Sequence, residues 1–447
     1  MKTVWTRMLH VSAAGSLMAA AVGCGASAPS AAPSHHKTTA QSTAAHPTVV
    51  TLWDSHAAVN QQGHAIQRII STFNRTHPTI RVEQTVTPAS AKALAAVQAG
   101  DPPVMAEIGH LPQYAYERAG ALANLHGFIY GPNGFPSSQL KGIWPAVWAA
   151  EHTPNHQQYL FPVDIKVAEF FYNATLWKKA GLTAPPTTWS QLQHDAAVLQ
   201  AKTGAIGLGA RLDHNDWLPL FYSNGGTYYH GSHLALNTPA MATTMQQLIT
   251  RDNAPYTKVL SYNTSFEDFA AGKLGILENT ADGYEMVRED VGGKFPVGVF
   301  PVPPGTTGHT AVLYQGLSFV IFKSATPAQQ QAAWTFIKYF DAPAQQAVWS
   351  TVGGEPPISQ ADVAAVQQMA GSQYTANPGP YAGTRVAIQE LQSGHVIHKI
   401  LGPAQTEVDT VIQDQIQSAI AHKESVSTAL ANMESQALAY LSGNAAQ

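Results

Sequence analysis

Short β-branched runs alternate with segments of helical apolar spacing along the chain after residue 47. The first run, residues 49–53, ends in a polar turn, and Ile66, Ile69, Ile70 and Phe73 follow at the spacing of an amphipathic helix. The alternation continues as strand, helix and strand at residues 80–86, 91–99 and 104–108. Repeated units of this kind predict an α/β fold with a parallel sheet covered by helices.

The same patterns continue through the rest of the chain. Helices are predicted at residues 174–180, 190–202 and 265–271, strands at 275–279, 297–303 and 317–322, and mostly helix over the last hundred residues. In open sheets, ligands bind beyond the carboxyl ends of the strands. Residues 54–56 and 109–110 are therefore expected at the mouth of a cleft.

Composition narrows the possible functions. The chain has 447 residues, 45% of them hydrophobic, so it can bury a large core. Its formal net charge of −4 offers no basic surface for nucleic acid. Charged residues make up only 12%, about half the usual share. Adaptation to an acidic exterior is one explanation, because uncharged polar groups keep a surface hydrated when carboxylates become protonated, and compositional drift is the other.

The amino terminus has the pattern of an export signal. Lys2 and Arg7 precede an apolar stretch, residues 11–23, that at about 13 residues is too short to span a membrane. It ends in Ala21-Val-Gly-Cys24, which contains the only cysteine of the chain and resembles a bacterial lipobox, with Ala21 where leucine is usual. The resemblance implies a signal peptide over residues 1–24 and a lipid on Cys24. A cysteine in a signal cleaved elsewhere is the alternative.

Residues 25–47 are rich in proline, serine, alanine and threonine. Such a segment has too little apolar surface to offset the entropy of ordering, so it is expected to be a flexible tether. The folded part is then expected outside the cytoplasm, anchored to the cell membrane through the lipid.

Five segments of the body carry a family resemblance. They are FNRTHPTI at residues 73–80, FYNATLWKKAGL at 171–182 with PPTTW ending at Trp189, FAAGKLGI at 269–276, WTFIKYF at 334–340 and GGEPP at 353–357. In this order they resemble the extracellular solute-binding proteins of bacterial ABC importers, the group that holds maltose-binding and glycerol-3-phosphate-binding proteins.

The resemblance implies the two-lobed fold of type II periplasmic binding proteins, in which each lobe is a sheet flanked by helices and the ligand is trapped when the hinge closes. By similarity, the chain crosses between lobes near residues 164–167, 299–302 and 354–357. Lobe 1 then comprises residues 48–165 plus 300–354, and lobe 2 comprises residues 166–299 plus 355–447. The implied partner is a membrane permease driven by a separate ATPase. The chain itself lacks a phosphate-binding Gly-x-x-x-x-Gly-Lys-Ser/Thr loop and is expected to be a monomer without a cofactor.

Strand ends and the family alignment together predict ten ligand-binding residues: Trp53, Asp54, His110, Asp164, Trp217, Thr280, Asp282, Gln315, Gly316 and Glu355. Trp53 and Trp217 offer flat faces for a sugar ring, although each fits a core position as well. Gly316 suits a close approach of the backbone to a ligand. The charged candidates are acidic with Lys166 as the nearby cation, which favours a neutral carbohydrate over an anion.

Glycerol 3-phosphate or a glycerophosphodiester is the alternative ligand, because the tail resembles that branch of the family. There the resemblance implies a phosphate-binding arginine after a Leu-Gly pair. Here the alignment puts Asp409 or a neighbour in that place, and no arginine follows residue 386.

Three other classes compete with solute binding. A secreted glycoside hydrolase could use carboxyls among Asp54, Asp164, Glu278 and Glu355, although the chain has neither Gly-x-Ser-x-Gly nor His-Glu-x-x-His. A metal site is conceivable at the pairs His152/His156, His230/His233 and His395/His398, which are more often solvated histidines. A ligand-loaded sensor subunit is the third. No catalytic or metal-ligating residue is predicted.

Overall fold

The computed structural model describes residues 46–110, 113–152, 157–230, 233–398 and 405–444. The predicted signal peptide, Cys24 and nearly all of the predicted tether lie outside these ranges. The strands are β1 (Thr48–Asp54), β2 (Ile80–Val86), β3 (Met105–Gly109), β4 (Phe161–Pro162), β5 (Lys166–Asn173), β6 (Ile206–Ala210), β7 (Tyr229–His230), β8 (His233–Leu234), β9 (Thr257–Val259), β10 (Leu274–Thr280), β11 (Val297–Pro301), β12 (Val312–Gln315), β13 (Leu317–Ile321) and β14 (Val396–His398).

Helices cover both sheets. They are α1 (Gln61–Thr76), α2 (Ala89–Ala99), α3 (Gln113–Arg118), α4 (His126–Tyr130), α5 (Ser137–Leu140), α6 (Pro145–Ala150), α7 (Ala174–Ala180), α8 (Trp189–Thr203), α9 (His214–Ser223), α10 (Pro239–Asp252), α11 (Tyr262–Ala270), α12 (Gly283–Val291), α13 (Pro327–Phe340), α14 (Pro343–Gly353), α15 (Val363–Ala370), α16 (Ala382–Ser393), α17 (Gln405–Ile420) and α18 (Val426–Asn444). None of the helices in the described ranges is both long and apolar enough to cross a membrane.

Local sequence accounts for α1 and its neighbours. Asn60 caps the helix, since its side chain accepts a hydrogen bond from the backbone N–H of Gly63 at 2.7 Å. The predicted apolar face, including Ile66 and Phe73, is buried in the largest hydrophobic cluster of the described chain. The helix packs against α14, α13 and β2, and α13 in turn packs beside β1. The prediction of a strand, loop and helix at this point is confirmed.

The first sheet has the order β2-β1-β3-β13-β4. Strands β1, β2 and β3 run parallel, as the alternating pattern predicts, and β1 pairs with β2 from Thr48↔Ile80 to Asp54↔Val86. Strand β13 runs antiparallel to both β3 and β4, so the sheet is mixed. The expected parallel arrangement therefore does not extend to β13. Parallel neighbours need a helical crossover between them, whereas β13 follows directly after β12 of the second sheet.

The second sheet has the order β14-β12-β5-β10-β6-β9. Strand β11 pairs with β5 along residues 169–173, and β12 continues along β5 at residues 166 and 167. Helix α16 packs on β5 and β11. Buried aromatic side chains fill this face, with the rings of Phe170 and Phe300 stacked at 5.3 Å between centroids.

The chain passes between the two sheets at three places. The first passage lies between β4 and β5, and the first crossing is predicted near residues 164–167. The second passage lies at Gly316, between β12 and β13, and the second crossing is predicted near residues 299–302. The third lies between α15, which packs on α14, and α16, which packs on β5. Residues 297–315 therefore pair with the second sheet, and α15 packs with helices beside the first.

Candidate functional site

The carboxyl ends of β1 and β3 bring three polar side chains together. The two strands are parallel neighbours that pair at Leu52↔Met105 and Trp53↔Ala106, so both end at the same edge of the sheet. The Nε2 atom of His56 lies 2.7 Å from Oε1 of Glu107. The backbone N–H of His56 donates to Oδ1 of Asp54 at 3.0 Å. Strand position therefore places Asp54 and His56 beside Glu107.

Burial and charge set the protonation of this group. Burial, reinforced by the charge of Glu107, raises the pKa of Asp54 to about 6. Burial opposes the charged form of His56, but Glu107 outweighs it and raises the pKa of His56 to about 9. The pKa of Glu107 is lowered because its burial is overcome by His56. His56 and Glu107 therefore form a buried ion pair at neutral pH.

A second polar group lies where the chain first passes between the sheets. Lys166 Nζ lies 3.5 Å from Oδ2 of Asp164 and 3.6 Å from Oδ2 of Asp282, at the start of α12. The other oxygen of Asp164 accepts a hydrogen bond from the backbone N–H of Leu317. Burial raises the pKa of Asp164 to about 6 although Lys166 opposes the shift. Asp164 in turn raises the pKa of Lys166, which stays protonated.

Glu355 adds a third buried carboxyl. It has no exposed surface, and its Oε1 accepts a hydrogen bond from Nε2 of Gln62 at 2.9 Å. Its Oε2 finds no hydrogen-bond partner in the part of the chain that the structure describes. Burial and the charges of Asp164 and Asp282 raise its pKa well above that of an ordinary glutamate. Burial therefore favours the protonated form of Glu355 more than that of an ordinary glutamate.

Four of these residues, His56, Gln62, Lys166 and Asp282, line a cavity of about 170 Å³. One wall comes from the β1–α1 loop and the start of α1, and the other from α11 and α12. Nε2 of Gln61 donates across the opening to Oε1 of Glu289 at 2.8 Å. The lining residues are Ser55, His56, Asn60, Gln61, Gln62, Lys166, Tyr262, Asp282, Gly283, Glu285, Met286, Glu289 and Gly353.

The two predicted tryptophans do not line this cavity. Trp217 has no exposed surface and packs in a hydrophobic cluster with Leu218, Phe221 and Tyr228. Trp53 is half-buried against a cluster that contains Ala106 and Val320. The structure thus places Trp217 in the core and Trp53 near the carboxyl end of β1, an interior strand of the first sheet.

Tyr262 is the aromatic residue of the cavity, and the sequence prediction missed it. Its side chain lines the cavity and is 49% exposed. The guanidinium of Arg211 lies 4.8 Å from its ring centroid, and Phe266 packs at 4.7 Å. Ser261 caps α11 through the N–H of Thr264, so the helix starts three residues before the predicted start at 265. That N-cap serine was the available signal.

Glu107, Gln61 and Gln62 were also missed. An acidic residue inside the apolar run of β3 was a usable signal, because a buried carboxylate needs a partner. The two glutamines open an ordinary amphipathic helix, and no local signal distinguishes them from solvated side chains.

The remaining predicted residues fall in separate places. Gln315 pairs with Lys166 in the β12–β5 ladder, and Thr280 ends β10 half-buried. A Cβ at Gly316 would collide with the carbonyl oxygen of Asp164, so glycine is needed where the chain changes sheets. His110 lies 3.0 Å from Oε1 of Glu151, which also accepts from Oγ of Ser318 at 3.0 Å.

Glu278, a carboxyl of the hydrolase alternative, belongs to a different buried network. Arg251 binds both carboxylate oxygens of Asp216, at 2.5 and 2.6 Å, and Oδ1 of Asp252 at 2.6 Å. Its Nη1 is 3.8 Å from Oε2 of Glu278. Of the predicted residues, Asp282 therefore lines the cavity. Asp54, Asp164 and Glu355 do not line it, but they contact the lining residues His56, Lys166 and Gln62.

Comparison with known proteins agrees with this architecture. Residues 57–347 match the family model of the bacterial extracellular solute-binding proteins. The multiple sugar-binding protein of Streptococcus mutans is 24% identical over 311 residues, 65% of this chain and 71% of the relative. The sn-glycerol-3-phosphate-binding periplasmic protein UgpB of Yersinia pestis is 21% identical over 411 residues, 86% of this chain and 90% of the relative.

Among solved structures, the cyclic alpha-maltosyl-1,6-maltose binding protein from Arthrobacter globiformis superposes with a TM-score of 0.74 at 22% identity. The match covers 88% of this chain and 99% of that protein. It supports the two-lobed α/β fold of type II periplasmic binding proteins, in which two sheets flanked by helices enclose a cleft. The family model covers more than half of the chain, and the chain therefore belongs to the bacterial extracellular solute-binding proteins.

Proposed function

We propose that this protein captures a sugar or oligosaccharide outside the cytoplasm and delivers it, chemically unaltered, to the permease of an ABC importer. The observation that carries the proposal is the cavity between the two sheets, lined by hydrogen-bonding side chains and one exposed tyrosine. The lining residues come from the β1–α1 loop and α1 on one side and from α11 and α12 on the other, with Lys166 of the first passage between them. A guest in the cavity would therefore contact both halves of the molecule.

Carbohydrate hydroxyls suit the acceptors that surround the cavity. Oδ1 of Asp282 and Oε2 of Glu355 lack hydrogen-bond partners among the described residues. Carbohydrate hydroxyls would supply the missing partners, because a hydroxyl group can both donate and accept a hydrogen bond. The exposed face of Tyr262 offers an apolar surface to the C–H side of a sugar ring. Two of the similar proteins described above are named for binding sugars.

Glycerol 3-phosphate or a glycerophosphodiester is the second candidate, favoured by the similarity to UgpB over 86% of the chain. Charge argues against it. A phosphate in the cavity would lie near Asp164 and Asp282 with Lys166 already engaged by both. Asp409, aligned near the family's phosphate-binding arginine, accepts a hydrogen bond from the hydroxyl of Tyr228 at 3.2 Å.

The two halves are proposed to be rigid lobes that close on the ligand. We retain the division into residues 48–165 plus 300–354 and residues 166–299 plus 355–447, with two adjustments. Pairing of β11 and β12 with β5 favours moving residues 300–315 to lobe 2. Packing of α15 on α14 favours moving residues 355–370 to lobe 1.

Anchoring by a lipid on Cys24 remains part of the proposal. Metabolic labelling with a radioactive fatty acid in a bacterial host should mark the wild-type chain and not Cys24→Ser. The variant should also leave the membrane fraction. Equal labelling of both chains would show that Cys24 is not the anchor.

Calorimetry tests the ligand class directly. Purified protein is titrated with maltose-type oligosaccharides, monosaccharides, glycerol 3-phosphate and glycerophosphocholine, and the recovered ligand is analysed by mass spectrometry. Micromolar or tighter binding of an intact oligosaccharide is expected. Preference for either phosphorylated compound would overturn the carbohydrate assignment, and cleavage of the bound oligosaccharide would revive the hydrolase alternative.

A further inference from the structure

A cluster of three potential metal ligands lies at the inner wall of the cavity. His56, Glu107 and Asp164 each offer one ligand atom, and these atoms lie within 4.8 Å of one another. Only 6%, 1% and 0% of the three residues' surfaces are exposed. Their elements are far apart in sequence, since β1, β3 and the first passage between the sheets contribute one residue each.

Neighbouring groups orient each of the three ligands. Oγ of Ser55 lies 3.4 Å from Oε2 of Glu107, which leaves Oε1 turned toward His56. The N–H of Leu317 binds Oδ1 of Asp164. Oδ2 of Asp164 is buried and accepts no hydrogen bond from the described residues. Such outer contacts are what hold metal ligands in place in protein sites.

We propose that His56, Glu107 and Asp164 bind one divalent metal ion of the Zn²⁺ or Mn²⁺ type. One imidazole and two carboxylates are suitable ligands for Zn²⁺ and Mn²⁺. They are poor ligands for a soft metal ion, which prefers thiolates. With metal–ligand bonds of about 2.1 Å, ligand atoms lie about 3.4 Å apart in a tetrahedral site. The 2.7 Å distance between Nε2 of His56 and Oε1 of Glu107 must therefore increase when a metal binds. The ligand atom of Asp164 lies within 4.8 Å of the other two, so it needs to move only a short distance toward the ion.

Lys166 is the cation that competes for the same position, because its Nζ is 3.5 Å from Oδ2 of Asp164. Its side chain is 30% exposed and reaches Asp282 at 3.6 Å, so it can keep that partner while a metal takes Asp164. Binding of the ion to Nε2 of His56 would release the proton that this nitrogen holds against Glu107. Of the three ligands, His56 lines the cavity. The metal site does not depend on which solute the protein carries.

Metal-free protein, prepared with a chelator, is titrated with Zn²⁺ and separately with Mn²⁺ by calorimetry, and bound metal is counted by mass spectrometry. His56→Gln and Asp164→Asn remove one ligand each. His395→Gln is the matched control, because His395 pairs with Glu390 at 3.0 Å and belongs to no group of three potential ligands among the described residues. Circular dichroism checks that each variant is folded.

We expect the wild type and His395→Gln to bind one metal ion per protein tightly. The affinity for metal should fall at least about tenfold in His56→Gln and Asp164→Asn, because each lacks one ligand. Anomalous scattering from metal-soaked wild-type crystals should place the ion among the three residues, and this holds even if a variant does not fold. Absence of a tight equivalent in wild type, undiminished binding in folded site variants, or an ion located elsewhere would overturn the proposal.

Discussion

Tyr262 and Trp217 are both aromatic, but only Tyr262 is exposed to solvent. Arg211 covers one face of Tyr262 and leaves the residue half exposed at the cavity. Trp217 contacts Tyr228 edge-on at 6.4 Å inside a core cluster. A side chain must be accessible to exchange water for a ligand, so the tyrosine is the better candidate for sugar stacking.

Tyr262→Ala should weaken oligosaccharide binding at least about tenfold, or 1.4 kcal/mol, because it removes the aromatic face. Tyr262→Phe should retain most of the affinity. Tyr130→Ala is the control, since Tyr130 is 47% exposed and does not line the cavity. Calorimetry with the best oligosaccharide measures all three, and unchanged affinity in Tyr262→Ala would remove this residue from the site.

Trp217→Ala should act on stability. A fully buried aromatic leaves a cavity, and the free energy of unfolding should fall by about 3–5 kcal/mol. Chemical denaturation measures the loss. A stable variant with weakened ligand binding would instead support the role predicted from the family alignment.

At the scale of elements, Arg251 links helices α9 and α10 and strand β10 through buried charged contacts. Its guanidinium joins α10 to Asp216 in α9 and approaches Glu278 in β10. Burial raises the pKa of Glu278 well above its usual value, with the charge of Asp216 adding to the shift. The network therefore links α9, α10 and β10, and Asp216 and Glu278 share the guanidinium of Arg251.

Arg251→Ala should reduce the free energy of unfolding by about 3–5 kcal/mol, because it leaves buried carboxyls unpaired. Arg81→Ala is the matched control. Arg81 pairs with Glu83 at 2.9 Å with most of its side chain exposed, so its loss should change stability by less than about 1 kcal/mol. Equal effects of the two substitutions in urea denaturation would contradict the role of the buried network.

For the whole molecule, buried titratable groups connect stability to pH. The pKa of Asp54 and that of Asp164 are raised by burial to about 6, as is that of Asp362. The native state thus binds protons that the unfolded chain has released, and stability falls as the pH rises from about 4 to 6. His56, with its pKa raised to about 9 by Glu107 against the effect of burial, contributes stability that is full below pH 6.5 and lost as the pH rises through 9.

The melting temperature should therefore be higher at pH 5.5 than at pH 9. A shift from 3.8 to about 6 in one buried carboxyl corresponds to about 3 kcal/mol. Below pH 4.5 the lowered pKa of Glu107 acts in the other direction. Calorimetric scans across this range give the sign, and a steep loss of stability on acidification from pH 7 to 5 would contradict both this linkage and adaptation to an acidic exterior.

Closure is the second property of the whole molecule that can be measured. X-ray scattering with and without the bound oligosaccharide should show a smaller radius of gyration in the complex, because the lobes approach. In this structure Gln61 of α1 already contacts Glu289 of α12. We expect the ligand-bound form to keep this contact. An unchanged radius on saturation with ligand would argue against hinge closure.

The sequence by itself determined the local elements, because apolar periodicity and caps act over a few residues. Strand β2 and helix α7 have the predicted bounds, and the polar ends of β1 and β3 were recognisable as one edge of a sheet. These elements could be predicted without the family resemblance, whereas the two-lobed arrangement was predicted only from the resemblance.

Only the tertiary structure decided which distant residues meet. The pairing of Glu107 with His56, the placement of residues 297–315 in the second sheet and the burial of Trp217 depend on contacts between segments far apart in the chain. Such contacts leave no periodic trace in either segment, since a strand or helix has the same local pattern whichever partner it packs against. The cavity and its charge balance emerge when those elements fold together.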